Sequence, residues 1–188
     1  MTKQSPASAT DEIIGATRMW IERAVIGLNL CPFAKAVHAD NRIRYRASEA
    51  RTPEILLDEL ADELQDLKAA DPAVCETTLL IAPYVLNDFL EYNDFLGPAE
   101  AAVAALGLTS EFQIASFHPR YQFAGTQADD IQNYTNRSPY PILHLLRESS
   151  IERAVAAMPE AAGIYERNIA TLSRLGQQGW RRLWPPTE

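Results

Sequence analysis

The chain is poor in cysteine, in histidine, in basic charge and in long apolar runs. Cys31 and Cys75 are its only cysteines, too few and too far apart for a disulfide framework, which points to a reducing, cytoplasmic setting. No apolar run approaches the roughly 18 residues of a bilayer-spanning helix, so no membrane is expected as a partner. The first ten residues, MTKQSPASAT, lack the apolar stretch of a secretory leader. Basic side chains are outnumbered, 17 to 25, and the net charge of -8 speaks against a grip on nucleic-acid backbone. What is present is a chain of 188 residues, 47% of them hydrophobic, enough for one compact core without a structural metal. The expected organisation is a disordered tail over 1–10, a single domain over 11–184 and a short tail over 185–188.

Apolar spacing predicts a helix from Asp11 to Leu28, with Thr10 or Asp11 as its cap. Gly27 and Pro32 break the chain after it. Residues 42–47, RIRYRA, alternate basic with apolar side chains as a half-exposed strand does. Thr52-Pro53-Glu54 reads as a helix start, and Leu56, Leu60, Leu64 and Leu67 form one stripe of the helix that follows. Residues 77–82, TTLLIA, suit a strand covered on both faces. A helix over 87–106 is expected in two pieces, broken at Gly97-Pro98. Residues 112–117 read as a third strand and 142–146 as a fourth. Ser149 or Ser150 caps a short helix to Met158. Pro159 opens a last helix to about Leu175, stopped by Gly176 and Gly179.

This order defines an α/β domain, a sandwich with a mostly four-stranded sheet, largely parallel or mixed, flanked by helices. Helical crossovers make the first three strands parallel if they are neighbours. A split βαβ arrangement instead leaves room between them for another strand.

Three segments carry polar residues that secondary-structure propensity does not explain. They are residues 29–33, 115–126 and 133–144, which fall in the words GLNLCPFA, ASFHPRYQFAGT and, from Thr135 on, TNRSPYPILHLLRE. With a later ERN at Glu166, they resemble in content and order a bacterial family, the domain of unknown function 1415. The resemblance covers essentially residues 11–184. It implies no activity, cofactor or catalytic residue, so the chemistry rests on the side chains themselves.

His118 closes a predicted strand, and ligands of α/β sheets bind beyond the carboxyl ends of strands. Arg120 adds a planar cation, while Gly125-Thr126 adds close backbone approach and a hydroxyl. Asn136 and Arg137 offer donors for a carboxylate or phosphate. The plainer account of these residues is turn chemistry shaping a long loop. His144, in PILHLL, is counted with the pocket residues, although a lone histidine on an apolar strand is more often a satisfied core residue. Cys31 precedes Pro32 near a possible helix start, where its thiol pKa would fall. Leu28, Leu30 and Phe33 around it favour packing instead. The three histidines show no metal-binding spacing, so no metal ligands are assigned and the cofactor stays open.

Two function classes follow. The first is an enzyme acting on a small anionic metabolite, with His118 as acid/base and Cys31 as an optional reactive group. Arg120 and Arg137 would hold the anion, and Thr126, Asn136 and His144 would complete the pocket. The second is a non-catalytic binding module for a metabolite, metal or haem. Residues 52–71 carry a charge of -6 and 84–100 carry -4, leaving +2 for everything else. The acidity therefore belongs to two helices and does not exclude a local anion site.

Overall fold

The computed structural model describes residues 8–157 and 163–184. Four strands form one mixed sheet: β1 (Ile43–Ala47), β2 (Thr77–Ile81), β3 (Phe112–Phe117) and β4 (Ile142–Arg147), in the spatial order β1-β2-β4-β3. β1 and β2 are parallel, with Ile43 opposite Thr77. β4 runs antiparallel to both β2 and β3, pairing Leu79 with His144 and Ala115 with His144 on its two edges. The second crossover is thus the split form, with β4 inserted between strands that share a direction.

Each face of the sheet is apolar, and each is covered. On one face lie α3 (Pro53–Ala69) and α4 (Phe89–Ala105). Thr52 caps α3 through the Ile55 amide, and Pro53 occupies its first turn. The stripe Leu56, Leu60, Leu64 and Leu67 is fully buried and meets Leu80, Leu143 and Leu145 of the sheet. The acidic side of α3 takes up the arginines of β1: Arg44 and Arg46 each lie 3.4 Å from Glu63. Arg147, at the end of β4, donates to the carbonyls of Leu67, Ala70 and Cys75, closing the C-terminus of α3.

α4 corrects the expected break at Gly97-Pro98, because it runs through Pro98 without interruption. The missing proline N–H frees only the carbonyl of Asp94, an exposed residue whose backbone water can reach. Tyr92, on the buried side of α4, ties the helix to the sheet. Its hydroxyl donates to Ile142 O at 2.7 Å and accepts from the Phe117 amide at 3.0 Å.

The other face carries α1 (Ala9–Trp20), its continuation as a π-helical turn over Ile21–Ile26, and α6 (Ile164–Arg181). α1 starts earlier than expected, because Ser8, rather than Thr10 or Asp11, forms a reciprocal capping box with Asp11. Trp20, Ile21, Leu172 and Trp180 pack there against Leu79, Ile81 and Ile142. α6 bends at Gly176, which takes φ 65° and ψ 171°, then resumes to Arg181. Gly179 is therefore no stop; its bare Cα leaves room for the Leu175 side chain. α5 (Glu148–Ala157) follows β4 directly, with no capping serine before it. Met158 and Pro159, expected at helix ends, lie outside the described residues, as do 1–7 and 185–188.

A short helix, α2 (Ala34–Ala39), follows the Cys31-Pro32 turn and precedes β1. It is reached through the tight turn after the π segment, where the Gly27 amide donates to Glu22 O. A side chain on Gly27 would collide with the Arg23 carbonyl oxygen. Gly27→Ala is accordingly expected to cost about 1–3 kcal/mol, read as a lower urea midpoint at unchanged m. Asn168 of α6 locks the same turn by donating to Leu30 O at 2.9 Å.

Candidate functional site

β1, β2 and β3 all end at the same edge of the sheet, where the loop 118–141 folds over them. His118 is completely buried at the end of β3. Its Nδ1 accepts from the Arg120 amide at 3.0 Å, which leaves Nε2–H to donate to Leu86 O at 3.1 Å. Burial holds its pKa below the ordinary histidine value, so the ring is neutral and both nitrogens are engaged. Leu86 itself adopts φ 59°, a left-handed backbone costly for a bulky residue. Its buried side chain and the His118 bond keep it there. Arg120 turns outward to Asn87 O at 2.7 Å and Asp88 at 3.3 Å. An open cleft of about 620 Å³ lies alongside, with Arg51, Tyr84, Asp88, Glu91 and Asp94 in its wall.

Most other polar groups of the loop are spent within it or against its neighbours. Asn133, fully buried, accepts from the Phe123 amide at 3.0 Å and donates to Gln127 O at 2.7 Å. The Thr126 hydroxyl lies 2.8 Å from both Asn133 Oδ1 and Phe123 O. Asn136 donates to Ser116 O at 3.0 Å, pinning the loop to β3. Arg137 donates to Tyr121 O and Ala128 O, and its guanidinium lies 4.1 Å from the Tyr134 ring centre. It also borders a groove of about 660 Å³ walled by Trp20, Trp180 and Trp184. Tyr134, from the 3-10 turn over Ile131–Asn136, sets its ring against Trp180 at 5.2 Å. Side-chain bonds of this kind let a segment of over twenty residues hold a compact shape without strands.

The remaining two sequence candidates meet elsewhere, and together. Cys31 and His144 both line a cavity of about 440 Å³ on the α1 face of the sheet. Ile21, Leu79, Ile151 and Ala154 contribute to its mostly apolar wall, so the π turn, β2 and α5 all border it. Cys31 is half-buried and unpaired. Burial pushes its thiol up, against the lowering expected at a helix start; the helix after it, α2, spans only Ala34–Ala39. It is therefore a protonated thiol at neutral pH.

His144 is a half-buried polar group of that wall, beside the buried Thr77 and Glu76. Burial pushes its pKa down to about 4, so the imidazole is neutral. Its Nε2 lies 2.8 Å from the Thr77 hydroxyl, and that hydroxyl lies 2.5 Å from Leu145 O. The carbonyl can only accept, so Thr77 donates to it and receives the His144 Nε2–H. Nδ1 keeps a free lone pair, with no hydrogen-bond partner among the described residues. Thr77 escaped the sequence reading. Its role depends on the β2–β4 register, and the signal in TTLLIA is only that of a buried strand.

The seven sequence candidates therefore divide among separate places. His118 and Arg120 sit at the strand ends, Thr126 and Asn136 within the loop, Arg137 at the tryptophan groove, and Cys31 with His144 in the apolar cavity. Among the described residues no group of three or more His, Cys, Asp and Glu side chains is placed to hold a metal ion. No described helix is long and apolar enough to cross a membrane.

The molecule is an α/β protein on an open mixed sheet, with an apolar cavity under one face and a self-knit polar loop at its edge. A family model described as "Protein of unknown function (DUF1415)" matches residues 12–182, and the chain belongs to that family. Comparison with curated proteins and with solved structures found no match.

Proposed function

We propose that this protein binds a small, largely apolar molecule in the cavity lined by Cys31 and His144, as a binding module rather than as an enzyme. The observation that carries the reading is a neutral, half-buried imidazole with one nitrogen anchored and the other without a partner, set in a mostly apolar wall. An apolar cavity with few, well-placed polar groups is the usual form of a small-molecule site, and about 440 Å³ falls within the usual range. Both cysteines are free, in keeping with a reducing, cytoplasmic setting.

The acid/base reading of His118 with an anionic metabolite has its own support in the strand-end cleft and the left-handed backbone of Leu86. It ranks second because His118 has no nitrogen left for a substrate and Arg120 is already paired.

Naphthalene tests the first reading, since it fits the cavity and offers no polar group. Equilibrium dialysis is expected to show saturable binding at one site per chain. Ala154→Phe, which sets a ring into the cavity wall, is expected to weaken it at least tenfold in a protein that still unfolds cooperatively. Absence of saturable binding, or binding indifferent to Ala154→Phe, overturns the proposal.

A further inference from the structure

The cavity also restricts the chemistry of its occupant. We infer that the bound molecule carries an uncharged hydrogen-bond donor, a hydroxyl or an amide N–H, at the end that reaches His144. This rests on the binding reading above.

The argument starts from Thr77. Its hydroxyl proton is committed to Leu145 O, so the His144 tautomer is set as Nε2–H and Nδ1 is left as an acceptor. An occupant made only of hydrocarbon would cover that acceptor and leave it unsatisfied, which weakens its binding. A carboxylate would bring further lone pairs against it in a place where charge is poorly solvated. The Cys31 thiol, kept protonated by burial, offers no fixed charge to a ligand. Nor does a cation compensate from within. Arg147 lines the cavity, but its Nη2 is spent on the carbonyls at the end of α3, and its Nε, though without a hydrogen-bond partner, is buried out of reach of an occupant. Arg153, largely exposed, is joined to Glu76 at 3.4 Å and Ser150 at 2.9 Å. Glu76 in turn is held by Arg42 at 2.9 Å. Each charged side chain at the cavity thus has partners of its own, and the one orphan donor, Arg147 Nε, is not accessible from it. A neutral donor on an apolar body fits both the wall and the lone pair. A site built to complete such a bond discriminates against analogues that lack it.

Three probes share one ring system and differ only in the group presented: naphthalene, 2-naphthol and 2-naphthoate. At pH 7 the naphthol is an uncharged donor, as phenols are. The wild-type protein is expected to bind 2-naphthol about tenfold more tightly than naphthalene, the size of one well-made buried hydrogen bond. In His144→Leu the naphthol is expected to lose that advantage while naphthalene binds as before. His144→Phe, which keeps a ring opposite Phe117 but has no lone pair, should behave alike and serves if the leucine variant does not fold. Should 2-naphthol bind no better than naphthalene, or keep its advantage in these variants, the donor inference falls while the cavity reading stands. Should 2-naphthoate bind most tightly and weaken with Arg153→Gln, the occupant is an anion held by Arg153, and the inference is again wrong. If none of the three binds, both readings fall together.

Discussion

Acidification from above pH 6.5 to about 4 is expected to remove about 3 kcal/mol of stability from this protein through His144. In the unfolded chain that imidazole takes up its proton near the ordinary histidine value of 6.5; in the folded protein burial delays it to about 4. Between those limits the unfolded state binds more protons, so each step down in pH favours it. The contribution is complete above 6.5 and gone once pH has fallen through about 4. His118, also held below its ordinary value by burial, works in the same direction. Urea unfolding at neutral pH and at about pH 4.5 measures the effect. His144→Leu should flatten much of the pH slope and leave the share owed to His118. A slope unchanged by the substitution would mean that His144 is not titrating against burial.

Tyr92→Phe is the second large effect, at about 2–3 kcal/mol for the loss of one oxygen. That hydroxyl bonds at once to Ile142 O and to the Phe117 amide, the first residue of β4 and the last of β3. Tyr92 is almost entirely buried, so neither group finds water once the oxygen is gone. The ring still fills its place between α4 and the sheet, which separates the hydrogen-bond contribution from packing. The urea midpoint should fall at unchanged m. A midpoint within error of wild type would show that water enters and replaces the phenol.

The parts of the fold that could be read from sequence are those with local causes. The α3 stripe, Thr52-Pro53 at its start, and the all-apolar TTLLI of β2 each declare themselves within a few residues. Pro98 misled because a proline rule presumes a dry helix, whereas the carbonyl it frees belongs to an exposed residue. Ser8 was overlooked for Thr10 and Asp11 because several residues there can cap, and only the backbone decides which does. The insertion of β4 between β2 and β3 was open as one of two arrangements, since strand order depends on partners far apart in the chain.

The candidate site follows the same division. The polar words 115–126 and 133–144 do mark an unusual segment, but composition does not say whether polar groups face a ligand or one another. Asn133, Thr126 and Asn136 are used to hold a long loop on the sheet. That Cys31 and His144 share a cavity could not be read at all. They are 113 positions apart in the chain. Their meeting depends on the π turn and on which face of β4 looks toward α1.

The position of β4 has a consequence for how the chain reaches its fold. The two strands that flank β4 are both made before it, and neither touches the other. Until Arg147 has been synthesised, β2 and β3 each hold an unpaired, largely apolar edge that no earlier segment of the sheet can cover. Closing the sheet therefore requires a late strand to enter a gap already set by α4. The β2–β4 pairing spans more than sixty residues, a non-local step of the kind that slows folding. A chain halted after β3 would expose both edges at once, the condition under which partly made α/β proteins aggregate or recruit chaperones. In this protein an inner strand is the last part of the sheet to exist.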